Sequence, residues 1–69
     1  MGTKTEYYVA YEEYVPDIDS DCVFTTPSSP FNDYEKAKQE YITYRDDESK
    51  ERKNVRLIRK ITILEVMKK

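Results

Sequence analysis

The longest apolar stretch of the chain, residues 54–67, constrains the fold more than any other feature. It reads NVRLIRKITILEVM, and its apolar residues alternate with charged or polar ones. The alternating apolar residues are Val55, Leu57, Ile61 and Ile63. This period of two is typical of a β-strand. The other segments are too polar to fold unless they pack against this strand, which is longer than the roughly five or six residues usual in globular proteins.

Both faces of this strand carry apolar residues. The odd positions are the more apolar set, although Arg59 interrupts them, and the even positions hold Ile58, Leu64 and Val66. A strand with apolar side chains on both faces must be packed against other residues on both, and one helix can cover only one face. The sequence leaves the phase of the strand open. It predicts that a second copy of the chain covers the face of Ile58, Leu64 and Val66.

Two further strands are predicted earlier in the chain. Residues 6–15 are rich in tyrosine and valine, as strands are, and residues 1–5 are expected to be a frayed end. Pro16 and the aspartates that follow it mark a turn after residue 15, and residues 22–26 form a short second strand. One face of the first strand would carry Tyr7, Val9 and Tyr11, and the other Tyr8, Ala10, Glu12 and Tyr14.

One helix is predicted between the second and third strands. Asn32 is a favourable N-cap, and Glu35 completes a pattern like the capping box. The helix is expected to end at about residues 45–49, where a charged loop follows. Its narrow apolar stripe consists of Tyr34, Ala37, Tyr41 and Tyr44.

The order of elements is therefore β-β-α-β. An α+β fold follows, in which residues 1–69 form one domain. It has a three-stranded antiparallel sheet of order 2-1-3 with the helix packed on one face. The third strand lies at an edge of this sheet, and a long apolar edge strand invites pairing with another chain.

The composition argues against an enzyme and against a cofactor or metal site. The chain has no histidine and one cysteine, Cys22, so a zinc site or an internal disulfide is not expected. Gly2 is the only glycine, which leaves no glycine-rich phosphate loop. The spacing of Asp17, Asp19 and Asp21 is that of an EF-hand start, but the glycine and glutamate that the rest of the loop requires are missing.

The location expected for such a chain is the cytoplasm. No apolar run approaches the ~20 residues that span a bilayer, and the N-terminus lacks the apolar region of a signal peptide. A single cysteine also favours a reducing compartment.

An acidic surface is the leading candidate for function. The first 34 residues hold seven acidic side chains against Lys4, a net charge of −6. Carboxylates two residues apart in an extended segment are about 6.6 Å apart, so Asp17, Asp19 and Asp21 would form a row of anions. Its spacing is of the same order as that of successive nucleic-acid phosphates. The predicted acidic face comprises Glu12, Glu13, Asp17, Asp19, Asp21, Asp33, Asp46, Asp47 and Glu48, and its aromatic support Tyr8, Tyr11, Tyr14 and Tyr34. Such a face would attract lysine and arginine patches that bind DNA.

Two other functions remain open. Residues 35–69 carry eleven basic against seven acidic side chains. Lys53, Arg56, Arg59 and Lys60 would bind nucleic acid through its phosphates, with tyrosines stacking on bases. Alternatively, the third strand would add to the sheet edge of a partner in a structural or assembly role.

In its small size, its tyrosine- and acid-rich N-terminal half and its lack of catalytic residues, the chain resembles small bacteriophage early proteins. Among these it is most similar to acidic DNA mimics, such as a Bacillus-phage inhibitor of the histone-like nucleoid protein HU. The resemblance implies a homodimer whose carboxylates occupy the DNA-binding arms of the host protein. Because the C-terminal half is basic, it also implies that these cations are paired or lie at the dimer interface.

Overall fold

The predicted α+β architecture is present in the computed structural model, which describes residues 2–47 and 52–68. Three antiparallel strands form one sheet in the order β2-β1-β3, and one helix packs on it, as the sequence predicts. The elements are β1 (Gly2–Val15), β2 (Ser20–Thr25), α1 (Tyr34–Asp46) and β3 (Arg52–Leu64), with a 3-10 turn (Pro16–Ile18) between β1 and β2.

The two long strands, β1 and β3, pair over almost their whole length. The pairing runs from Gly2 opposite Leu64 to Glu13 opposite Arg52. Residues 2–5 therefore lie in β1, and the expectation that they form a frayed end is wrong. Residues 61–64 of β3 pair with them. β3 ends at Leu64, opposite Gly2, three residues earlier than predicted.

β3 contains an extra residue at Asn54, where its pairing with β1 shifts. Asn54 has φ of 53°, in the left-handed region that asparagine tolerates better than most residues. Its side-chain Nδ2 donates to Glu12 at 2.8 Å. Because of this extra residue, odd-numbered and even-numbered side chains exchange faces on either side of it. Arg52 therefore lies on the same face of the sheet as Leu57, although one number is even and the other odd.

The link between β1 and β2 is a tight turn. Pro16 starts the 3-10 turn, and Asp19 closes it in the left-handed region with φ of 48°. The Asp19 N–H donates to the Pro16 carbonyl at 3.2 Å. β2 consequently begins at Ser20 and ends at Thr25, displaced from the predicted span 22–26.

The start of α1 is set by the segment before it. Phe31 forms a two-way backbone bridge with Tyr7, with N–O distances of 2.8 and 2.7 Å. This bridge holds the chain extended beside β1, so the N-cap is Asp33 and not the predicted Asn32. The Asp33 carboxylate accepts from the Glu35 N–H at 2.9 Å, the usual N-cap bond.

Helix α1 lies on the odd-numbered face of β1 and contacts it through residues of the predicted tyrosine stripe. Tyr34 meets Tyr7 edge-on at 5.5 Å between ring centroids, and Tyr44 stacks on Tyr11 at 5.9 Å. Ala37 between them is completely buried. We call this face the helix face and the other the open face. The pairing of Val9 with Leu57 puts the odd residues of β3 from Val55 onward on the helix face, which settles the phase.

The fully buried apolar core is small. Among the described residues, it consists of Val9, Ala10 and Ala37, and Thr26 is the one buried polar residue. Beyond the helix, the outer parts of β1 and β3 form a single layer, where Ile61 and Ile63 are 53% and 68% exposed. No helix in the described part of the chain is long and apolar enough to cross a membrane.

Candidate functional site: an acidic end

The fold collects acidic side chains at one end of the molecule, which we call the acidic end. This end contains the β1–β2 turn, the start of β3 and the C-terminus of α1, held together by the ion pairs described below. Among the described residues of this end, seven carboxylates outnumber four cations, which gives this set a net charge of −3. The carboxylates are Glu12, Glu13, Asp17, Asp19, Asp21, Asp46 and Asp47, and the cations are Arg45, Arg52, Lys53 and Arg56.

Two ion pairs cross the open face at the acidic end. Arg56 Nη1 lies 3.0 Å from Glu12 Oε2, and Lys53 Nζ lies 2.9 Å from Asp21 Oδ2. Because these side chains are partly exposed, each pair contributes at most about 1 kcal/mol to stability. The pairs also lower the net charge that Glu12 and Asp21 present to a partner.

On the helix face, an arginine ties the C-terminus of α1 to the sheet. The Arg52 guanidinium lies 5.3 Å from the ring centroid of Tyr11 and 4.8 Å from that of Tyr44. Its Nη1 also lies 3.3 Å from Asp47 Oδ2. Asp46 pairs with the neighbouring Arg45, with 3.2 Å between Nε and Oδ1.

Two carboxylates of the acidic end, one in the β1–β2 turn and one on β1, are not engaged in an ion pair within the described residues. Asp17 is exposed in the 3-10 turn and Glu13 is half-buried on β1. Within residues 2–47 and 52–68, no cation lies in ion-pair distance of either. Because the turn is wound and Asp19 is left-handed, the expected extended row of Asp17, Asp19 and Asp21 does not form.

A hydrogen bond fixes the shape of this turn. The Tyr14 hydroxyl donates to the Asp19 carboxylate across the turn. This bond raises the pKa of Tyr14 above its usual value, and partial desolvation and the nearby charge of Asp21 raise it further. Ionising Tyr14 would place a phenolate against a carboxylate, so the turn holds the tyrosine protonated.

We expect Asp19→Asn to lower the pKa of Tyr14, because the neutral amide no longer opposes formation of the phenolate. Since the folded-state pKa of Tyr14 is raised, its hydrogen bond stabilises the fold fully below the unfolded pKa. That contribution is lost as the pH rises through the folded pKa. An absorbance titration of tyrosinate checks this, with Tyr14→Phe identifying the signal of Tyr14. An unchanged titration in Asp19→Asn would rule out the hydrogen bond.

The structure separates two predicted acidic residues from the acidic end. Asp33 caps α1 at the helix end that lies over Tyr7, away from the β1–β2 turn. Glu48 lies outside the described residues.

Of the predicted aromatic support, only some side chains face away from the helix. Tyr8 and Tyr14 lie on the open face, where Tyr14 is 49% exposed. Tyr11 packs between Phe24 and Tyr44, and Tyr34 packs on Tyr7. Tyr11 is therefore a structural residue of the helix face and does not extend the acidic end.

The four cations expected to bind nucleic acid do not form one patch. Lys53 and Arg56 are engaged in ion pairs with Asp21 and Glu12. Arg59 points to the helix face, since it is opposite Tyr7, whereas Lys60 is opposite Glu6 on the open face. Strand alternation thus divides these residues between two faces.

A concavity that sequence reasoning missed lies between α1 and β3. It is open to solvent, has a volume of about 580 Å³, and is lined by Tyr7, Tyr34, Leu57 and Arg59. Tyr7 lies beside Arg59 because of the register of β1 against β3, so no local sequence pattern predicts this concavity. Among the described residues, no carboxylate lies in ion-pair distance of Arg59.

In residues 2–47 and 52–68, no three histidine, cysteine, aspartate or glutamate side chains group as metal ligands would. Cys22 is a half-buried free thiol on the helix face, opposite Glu13.

Comparison with protein-family models, with curated proteins and with solved structures finds no match to this chain.

Proposed function

We propose that this chain is a non-enzymatic inhibitor whose acidic end docks on the DNA-binding surface of a basic protein in the bacterial cytoplasm. The proposed partner is a histone-like protein of the HU type. The observation that carries the proposal is that seven of the nine predicted carboxylates lie at one end, where the described residues have a net charge of −3. A DNA-binding surface attracts such an array for the reason that it attracts phosphates.

The ion pairs of the acidic end divide its carboxylates into two groups. Glu12 and Asp21 already have cationic partners, so a competing arginine or lysine gains little from them. Glu13 and Asp17 have the larger share of the docking energy in this proposal. The bond from Tyr14 to Asp19 supports it, because a preorganised turn loses less entropy on binding.

Nucleic-acid binding by the chain itself is the weaker candidate. Of the four cations predicted to bind it, Lys53 and Arg56 are paired with Asp21 and Glu12, and the other two lie on opposite faces of β3. The resemblance to DNA mimics requires paired cations, and these pairs are compatible with that requirement.

We expect Glu13→Gln/Asp17→Asn to weaken inhibition roughly tenfold, because two surface charge contacts are worth about 1–2 kcal/mol together. The measurement is a gel-shift competition with duplex DNA and an HU-type protein. The variant should also show a smaller dependence of inhibition on salt. The matched control is Asp33→Asn/Glu35→Gln, which removes the same charge far from the acidic end and keeps an asparagine N-cap.

Three outcomes of this experiment decide between the functions. Loss of inhibition in the first variant and not in the control supports the acidic end. Equal loss in both variants would show that only overall charge matters. If the chain leaves the HU-type protein on DNA, or shifts free DNA itself, the inhibitor proposal fails, and in the second case the basic side chains of β3 become the binding surface.

A further inference from the structure

Within the described residues, no strand pairs with the outer edge of β3, which is an edge strand of the sheet. The odd residues of β1 direct their backbone groups away from β3, to the side on which β2 lies. Tyr7 bonds in both directions with Phe31, and the Val9 carbonyl accepts from the Thr26 N–H at 2.9 Å. The even residues of β1 therefore bond to the even residues of β3. It follows that Leu57 and the odd residues after it point their N–H and C=O groups at the open edge.

The side chains along this edge are apolar on both faces. On the helix face, Ile61 and Ile63 are 53% and 68% exposed, and on the open face Ile58 and Leu64 are 38% and 54% exposed. Met67, three residues past the end of β3, is 82% exposed. The solvent-accessible area of the chain is 5606 Å², compared with roughly 4,600 Å² expected for a compact monomer of this mass. This edge accounts for part of the excess.

We infer that β3 pairs antiparallel with β3 of a second copy about a two-fold axis at Thr62. The result is a continuous six-stranded sheet, in which residues 65–67 extend each β3. The inference stands independently of the acidic end, which lies at the other end of β3. Only the odd residues supply hydrogen bonds, so Ile61 bonds with Ile63 of the second copy and Arg59 with Glu65 of the second copy.

Charge complementarity selects this register. With the axis at Thr62, each Arg59 faces Glu65 of the other copy, which provides the carboxylate that Arg59 lacks among the described residues. A shift of the axis to Ile61 places Glu65 opposite Leu57, and a shift to Ile63 places it opposite Ile61. Both shifts separate Arg59 from Glu65 and set Glu65 against an apolar side chain, whereas the axis at Thr62 pairs these two charges.

The concavity beside β3 receives a side chain in the same register. Leu57 is opposite Met67 of the second copy, and both lie on the helix face. The flexible thioether of Met67 would therefore reach the space lined by Tyr7, Tyr34 and Leu57, where sulfur–aromatic contacts are favourable. On the open face, Ile58 lies opposite Val66 of the second copy.

The position of α1 is compatible with this arrangement. α1 covers β3 near Leu57 and Arg59, whereas the two-fold axis lies further along the strand, in the single-layer region. The two helices therefore lie on either side of the axis and do not meet. The two acidic ends point away from each other, at opposite extremes of the six-stranded sheet.

Cysteine cross-linking tests the register directly. In a Cys22→Ser background, Thr62→Cys places two thiols opposite each other at a non-hydrogen-bonded pair, where the Cα–Cα distance of roughly 4.5 Å permits a disulfide. We expect a covalent dimer on mild oxidation. Lys60→Cys in the same background is the control, because it faces Leu64 and not its own copy. A cross-link through residue 60 and not 62 would overturn the register.

A charge exchange tests the same contact without cysteine. Arg59→Glu and Glu65→Arg should each raise the dimer dissociation constant roughly tenfold, since each creates two repulsive pairs per dimer. The double variant should restore it. Sedimentation of the unmodified chain over a range of concentrations measures the association. A chain that stays monomeric up to millimolar concentration, or a double variant that associates no better than either single one, would overturn the inference.

Discussion

Replacing Tyr11 by alanine is expected to lower the free energy of unfolding by about 2–4 kcal/mol. The Tyr11 ring stacks on Phe24 at 5.9 Å and on Tyr44 at 5.9 Å, and the Arg52 guanidinium covers it at 5.3 Å. It thus joins β2, α1 and β3 through one side chain. A domain of this size has roughly 3–5 kcal/mol of stability in total, so the variant should be largely unfolded near body temperature.

Thermal unfolding followed by circular dichroism measures this effect. The midpoint should fall by roughly 10–20 °C, given the small unfolding entropy of a short chain. Tyr14→Ala is the matched control, because Tyr14 lies on the same strand, faces away from the helix and is 49% exposed. If the two variants lose equal stability, the aromatic contacts of Tyr11 do not hold α1 on the sheet.

Replacing Ala37 by leucine is expected to destabilise the fold by about 1–3 kcal/mol. Ala37 is completely buried where α1 approaches the sheet, and the added atoms would push the helix away from it. The contacts of Tyr34 with Tyr7 and of Tyr44 with Tyr11 would weaken together, because α1 moves as a rigid element.

Urea unfolding of Ala37→Leu provides the measurement, and Lys38→Leu provides the control. Lys38 is the next residue of α1 and is exposed, so leucine there changes helix propensity little and meets no neighbour. A stability change within about 0.5 kcal/mol is expected for the control. An Ala37→Leu protein as stable as the control would mean that α1 does not approach the sheet through Ala37.

The order of elements was predictable because local patterns specify it. Alternating apolar residues predicted β1 and β3, and the tyrosine stripe predicted which side of α1 meets the sheet. The 2-1-3 strand order followed from the chain direction after one helix. Element boundaries were less predictable, since they depend on partners: β1 starts at Gly2 because β3 reaches far enough to pair with it.

The residues of the acidic end could be predicted from the sequence, but their ion pairs could not. The sequence identified its carboxylates, but two of its ion pairs join residues 32 and 44 positions apart. No local pattern reports whether Lys53 neutralises Asp21 or Arg56 neutralises Glu12. The row of three aspartates was likewise expected to be extended, and the φ of 48° at Asp19 winds it into a turn.

The fold class, the strand order and the charge asymmetry could be predicted from the residues alone, because periodicity, turn residues and charge are local properties of the chain. Tertiary structure decided the phase of β3, through the pairing of Val9 with Leu57 and the extra residue at Asn54. It also decided which carboxylates stay unpaired and that Arg59 faces a concavity. These features depend on register, and register is set by the packing of distant residues.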